Sequence, residues 1–187
     1  HHGNGTEAIF YDRADVLTIS VHQDRCYPID TGAATDIGID RGEGYNMNIP
    51  LPPGGGHTLY LEAMKRLILP RLREFQPDII IIACGFDASA IDPLARMLAT
   101  SETFGQLTKF VMGAAHELCN DRLSMIHEGG YSEVYVPFCG HRVIQELSNS
   151  SIKAEDPYKF LFESRQPSQR VQNFYSELIT ELEQFFF

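Results

Sequence analysis

Apolar residues along this chain fall at two spacings. Residues 15–22 are rich in β-branched and apolar side chains (Val16, Leu17, Thr18, Ile19, Val21) and predict a strand. Residues 45–51 predict a second strand. Residues 78–85 run through Ile79, Ile80, Ile81, Ile82, Ala83 and Cys84 without alternation, which predicts a strand buried on both faces, as in a parallel sheet. Residues 123–126 predict a short fourth strand. Helical spacing appears over 57–75, where Leu59, Ala63, Leu67 and Phe75 share a face, and Pro70 inside that stretch predicts a kink or two helical pieces. The cleanest helix is 103–119, with Phe104, Leu107, Val111, Ala114 and Leu118 three or four apart. A further helix is expected over 133–147, with Pro137 tolerated near its first turn. Val171, Phe174, Leu178, Leu182 and Phe185 form the apolar face of a last amphipathic helix, expected to pack on the domain.

Strands alternating with helices predict an α/β fold, three-layered α/β/α with a largely parallel sheet. Residues 23–44 have little periodicity and carry Pro28, Gly32, Gly38, Gly42 and Gly44; long segments of this kind in a compact domain are often functional. Ligands of open α/β sheets bind beyond the carboxyl ends of the strands. That rule marks the segments after His22, after Gly85 and after Ile126.

Composition narrows the function only modestly. The 187 residues carry a formal charge of −10. Such a balance disfavours direct nucleic-acid binding, which needs a basic patch, and permits a basic ligand such as a polyamine or a lysine-rich peptide. Cys26, Cys84, Cys119 and Cys139 form no C-x-x-C pair, so a cysteine-based zinc site is not expected. Cys84 and Cys119 read as buried free thiols, which suits a reducing, cytoplasmic setting. No apolar run approaches the roughly 20 residues that span a membrane. The absence of an initiator Met points to a fragment.

The polar residues at the marked places read blandly one at a time. His1 and His2 are either the end of a purification tag or ligands. Asp87, just past a strand, is a loop or helix-cap carboxylate, and Tyr131, after Gly129 and Gly130, is a packed tyrosine opening a helix. Together they fit a metal hydrolase. A divalent metal takes nitrogen and oxygen ligands, and a nearby phenol donates to an oxyanion.

Four stretches then carry a resemblance: HHGNGTEAIFY, VLTISVHQD, IIIIACGFDASAIDPLARMLATSETF and HEGGYSEVYVPFCGHRVIQEL. In order and spacing they resemble the zinc-dependent histone deacetylase and acetylpolyamine amidohydrolase superfamily, its class II and bacterial members above all, from residue 1 to about 148. The resemblance implies an arginase/deacetylase-like fold whose N-terminal part is absent. Residues 1–150 would be the C-terminal part of the catalytic domain, and 151–187 an extension ending in the amphipathic helix.

Site roles follow from the same resemblance. His1 and Asp87 match metal ligands, with Zn2+ or Fe2+ as the ion. Tyr131 matches the oxyanion-stabilising tyrosine. Tyr27, Leu94, Gly129 and Gly130 match a tunnel for the acyl-lysine chain. Ser20 and the backbones of His1 and Val21 match a K+ site, and carbonyls near Phe10, Arg13, Val16 and Tyr45 a second cation site. His2 is expected to pack and hydrogen-bond behind the metal ligands, as is His22.

In the family motif another aspartate stands two positions before His1, and the general base belongs to a His pair further upstream; neither is among these residues. The implied reaction is hydrolysis of acetyl-lysine peptides or acetylpolyamines by a metal-activated water, with this chain alone inactive. The alternative is an inert fragment or an interaction module. A minor reading takes His1 as a mature N-terminus that chelates copper through its amine and imidazole.

Overall fold

Every paired strand in this chain has a parallel partner. In the computed structural model, which describes residues 1–187, β1 (Thr18–Gln23) pairs with β2 (Asn46–Leu51) from Thr18 opposite Asn46 to Gln23 opposite Leu51. Likewise β3 (Ile80–Cys84) pairs with β4 (Leu123–His127) from Ile80 opposite Leu123 to Cys84 opposite His127. Helices separate β2 from β3 and β3 from β4, so the fold is α/β, with its parallel sheet present as two two-stranded pairs. Each pair belongs to its own compact unit, His1–Pro53 and Gly54–Phe187.

The first unit opens with α1 (Asn4–Phe10), continues through β1, and crosses to β2 by an irregular segment with one 3-10 turn at Asp40–Gly42. On β2, Met47, Ile49 and Leu51 are almost fully buried, as the strand's period of two allows. The intervening Asn46 and Asn48 are buried as well.

The second unit begins with a helix that changes pitch. α2 (His57–Ala63) runs into a π turn, Met64–Ile68, and then α3 (Leu69–Phe75), with Pro70 in the first turn of α3. Proline has no N–H to give and clashes with the carbonyl four residues back. The wider turn, closed by Leu69 N–H donating to Met64 O, moves Pro70 to a helix start, where no N–H is missed. The expected two pieces are thus joined by a π turn.

α4 (Ser101–Cys119) starts at a reciprocal cap: Thr103 N–H donates to Thr100 Oγ1, and Thr100 N–H donates to Thr103 Oγ1. It stops at Asn120, which takes the left-handed conformation of a helix C-cap. α5 (Val136–Leu147) packs along α4 through Cys139 and Val143.

Two expectations need correction. β3 is not buried on both faces: Ile80 and Cys84 face inward, but Ile81 is more than half exposed, and Ile79 just before the strand and Ile126 on β4 are at least half exposed. α4 covers one side of the β3–β4 pair, and Ile81 and Ile126 stand on the opposite, exposed side. The last helix, α7 (Gln169–Phe186), is also rotated from its expected face. It buries Tyr175, Ile179 and Leu182, while Phe174 and Phe185 are at least half exposed. Arg66, on the π turn, fixes that rotation through Thr180 Oγ1 (2.8 Å) and the Glu183 carboxylate (2.6 Å).

Two short helices were not anticipated, α1 and one near the C-terminus. α6 (Lys159–Ser164) is a six-residue piece, too short to show a period or to be stable alone. It is held by Phe162, which is buried against Tyr135 with ring centroids 4.7 Å apart. Just beyond it, Gln166 accepts from His57 N–H (2.8 Å) and donates to Leu98 O (2.9 Å). No helix is long and apolar enough to cross a membrane.

The rotation of α7 is checked by paired truncations. Ile179→Ala should cost about 2–5 kcal/mol in urea unfolding, and Phe174→Ala about 0.5 kcal/mol or less. The reverse order would restore the face expected from periodicity.

Candidate functional site

His1, His2, Ser20, Val21 and Tyr27 lie in the first unit; Asp87, Leu94, Gly129, Gly130 and Tyr131 lie in the second. Each group has its own supporting network.

In the first unit the chain reaches α1 through His1-His2-Gly3. His1 is exposed at the end, its ring 6.5 Å from that of Tyr27. His2 is 2 % exposed. Its N–H donates to Tyr27 O (2.8 Å), its Nε2–H donates to Glu7 (3.2 Å), and its Nδ1 faces Thr31 Oγ1 (3.0 Å). The same Glu7 oxygen accepts from Asn46 Nδ2 (2.7 Å) and Asn48 Nδ2 (2.6 Å). One carboxylate therefore ties α1, β2 and the histidine segment together. That is why two asparagines are affordable on a buried strand.

His22, at the end of β1, is 3 % exposed, its ring 4.7 Å from that of His2. Burial, followed by the neighbouring His2, lowers its pKa to about 4. The neutral ring then has one donor and one acceptor. Nε2–H donates to Gly32 O (3.0 Å), and Nδ1 accepts from the Ser20 hydroxyl (3.0 Å). Ser20 Oγ in turn accepts from Gly3 N–H (3.2 Å), which sets a chain of donors from the histidine segment into β1. Gly32 is required where it stands. Its φ is +78°, and a Cβ there would lie 2.5 Å from His22 Nε2.

In the second unit, two loops leave the carboxyl ends of β3 and β4. Phe86 N–H donates to Gly129 O (2.7 Å) and Glu128 N–H to Cys84 O (3.2 Å), so the loops run side by side. Asp87 is 8 % exposed at this rim. Gly130, with φ +129°, passes over Phe86; a Cβ there would lie 2.9 Å from the Phe86 Cβ. Tyr131 and Leu94 are exposed, at 50 % and 63 %. Asp92 is buried, and its carboxylate accepts from the N–H groups of Tyr131, Leu94 and Ala95.

The donor chemistry suits a nitrogen–oxygen metal site. Burial raises the Cys84 thiol to about 11 and pushes the Cys139 thiol up further, so neither is a ready thiolate ligand. What remains is imidazole and carboxylate, a set that zinc accepts. The chain gathers no group of three or more His, Cys, Asp or Glu side chains able to hold a metal by themselves.

Sequence reasoning missed Glu7, Thr31, Asn46, Asn48 and Asp92. Asn46 and Asn48 left a signal: two amides at alternate positions of a buried strand need a polar partner. Asp92 lies inside the stretch that carries the resemblance but was given no role.

Residues 1–147 match the histone deacetylase domain family, and the chain belongs to it. It is 51% identical over 182 residues to the histone deacetylase-like amidohydrolase of Pseudomonas aeruginosa, covering 97% of this chain and 48% of that protein. It superposes on the histone deacetylase Clr3 with TM-score 0.80 and 30% identity, over 100% of this chain and 30% of the other. An acetylpolyamine aminohydrolase from Burkholderia pseudomallei matches with TM-score 0.72 and 31% identity, over 82% and 43%. The chain spans about half the length of the Pseudomonas relative and less of the others.

Glu7→Ala strands three donors, so it should destabilise the protein by roughly 2–4 kcal/mol, measured by urea unfolding; a loss under about 0.5 kcal/mol would remove Glu7 as the hub. His22 supplies a pH test. Its folded pKa lies below the unfolded value of about 6.5, so the unfolded chain binds the extra proton between these values. Stability should be intact above pH 6.5 and fall by up to about 3 kcal/mol as pH drops towards 4, with the slope reduced in His22→Gln.

Proposed function

We propose that the protein carrying this chain is a zinc-dependent amidohydrolase that removes acetyl groups from acetyl-lysine peptides or acetylpolyamines. The observation that carries the reading is the 51% identity to a deacetylase-like amidohydrolase across 97% of the chain. The retained Asp87 and Tyr131 on adjoining loops of the second unit support it.

On this reading His1 and Asp87 supply two metal ligands, each assigned by the motif it stands in. Ferrous iron would suit the same donors. A third ligand and a general base come from outside these residues. A zinc ion so held supplies Lewis acidity, polarising the amide carbonyl and acidifying a water. Tyr131 donates its phenolic O–H to the oxygen that gains charge as the carbonyl carbon becomes tetrahedral. Its exposure leaves the phenol accessible to substrate. Tyr27 and Leu94, both exposed, are each assigned by their motif to the methylene chain of the acylated amine, and Gly129 and Gly130 would let the backbone come close to it. Ser20 and the backbones of His1 and Val21 would hold a potassium ion: Ser20 Oγ donates to His22 and accepts from Gly3, which leaves it a lone pair. The products are acetate and a free amine.

The full-length gene product should hydrolyse an acetyl-lysine peptide or an acetylpolyamine, lose activity to a chelator and regain it with Zn2+. Tyr131→Phe should lower kcat by roughly 10²–10³-fold. Near-normal turnover by that variant would sink the assignment of Tyr131, and no turnover of either substrate by the wild type would sink the reading.

A further inference from the structure

We infer that Asp92 is the positioning residue that sets where the Tyr131 phenol stands; the inference deepens the amidohydrolase reading and rests on it for its catalytic consequence. Tyr131 makes a single hydrogen bond in the chain, from its own N–H to Asp92 Oδ2 at 2.8 Å. Its side chain is half exposed, so packing does little to hold it. It follows Gly130, a residue at φ +129° that leaves the backbone freer than any other would. An unsupported tyrosine after a glycine samples many orientations, and an oxyanion donor is effective only when it is already in place.

Asp92 is built to supply that support. It is 6 % exposed and is itself fixed from three sides. Its N–H donates to Ser89 O (3.0 Å), and Oδ1 accepts from Leu94 N–H (2.9 Å) and Ala95 N–H (3.3 Å). Ser89 N–H donates to Phe86 O (3.0 Å), which anchors this turn beside Asp87. The loop bearing Asp87 therefore reaches across to the loop bearing Tyr131 at two points. Phe86 N–H meets Gly129 O before the glycine pair ends, and Asp92 Oδ2 meets Tyr131 N–H just after it. The same turn that carries Asp87 thereby sets the start of the Tyr131 side chain. It also places exposed Leu94, whose N–H shares the Asp92 carboxylate.

The test uses the full-length gene product with Asp92→Asn and Asp92→Ala. Asparagine can keep an oxygen towards Leu94 and Ala95 but turns an N–H group on the Tyr131 amide; alanine removes every acceptor. Amide hydrogen exchange at Tyr131 should speed up roughly tenfold or more in at least the alanine variant. The amide of Ser101, which is bonded to Tyr135 in the same unit, should keep its rate. With an acetylated substrate, kcat should fall roughly 10- to 100-fold with KM within about twofold. In a Tyr131→Phe background the same Asp92 changes should cost about twofold or less, because the two residues act through one group. A merely structural role would instead lower both kcat values alike and speed exchange at Ser101 too. Unchanged Tyr131 exchange in both variants overturns the inference, and so does full kcat with the amide freed. If the wild type hydrolyses no acetyl amide, the amidohydrolase reading falls, and the exchange rates still decide whether Asp92 holds Tyr131.

Discussion

A parallel strand cannot return to its neighbour by a tight turn, so its carboxyl end must release the chain into a longer connection. The backbone N–H groups released there lose their ladder partners and still need acceptors. In this chain that constraint shapes the rim. Beyond β3 and β4 the need is met by carbonyls of the opposite loop and by the Asp92 carboxylate. In the first unit Glu7 meets a different need, accepting from the side-chain amides of Asn46 and Asn48 on β2 and from the ring of His2. Chemically active side chains stand on segments held by these two acids.

The two acids differ in what they order. Glu7 binds side chains and so links three sequence-distant segments at one point. Asp92 binds main-chain groups and so sets the path of a loop. Hydrogen bonds to a charged acceptor are stronger than neutral ones, which suits both positions. Beside His2, the neutral His22 extends the network without adding a buried charge.

Much of this was legible in the sequence. The strands and main helices followed from apolar spacing, and the break at Pro70 from proline's missing N–H. What could not be read was decided by partners remote in sequence. α7 turned away from its most apolar face because Arg66, over 100 residues earlier, binds Thr180 and Glu183. The all-apolar run at β3 suggested cover on both sides, yet a run of isoleucines records only that burial is favourable, not which neighbour supplies it. α6 was silent because six residues hold less than two full periods. Of the site, the residues in recognisable stretches were found, and the acids that hold them were not, since a carboxylate that binds amides leaves no periodic trace.

Gly32 carries a consequence for heredity. Every other amino acid brings a β-carbon, and here that atom would meet both the His22 and the His2 imidazoles. A glycine codon therefore has no conservative missense neighbour at this position: alanine and serine intrude as surely as valine. Among natural variants of this gene, the codon for Gly32 should drift only at its silent third base. The glycine at this position would then record the shape of two imidazole rings rather than any chemistry of its own.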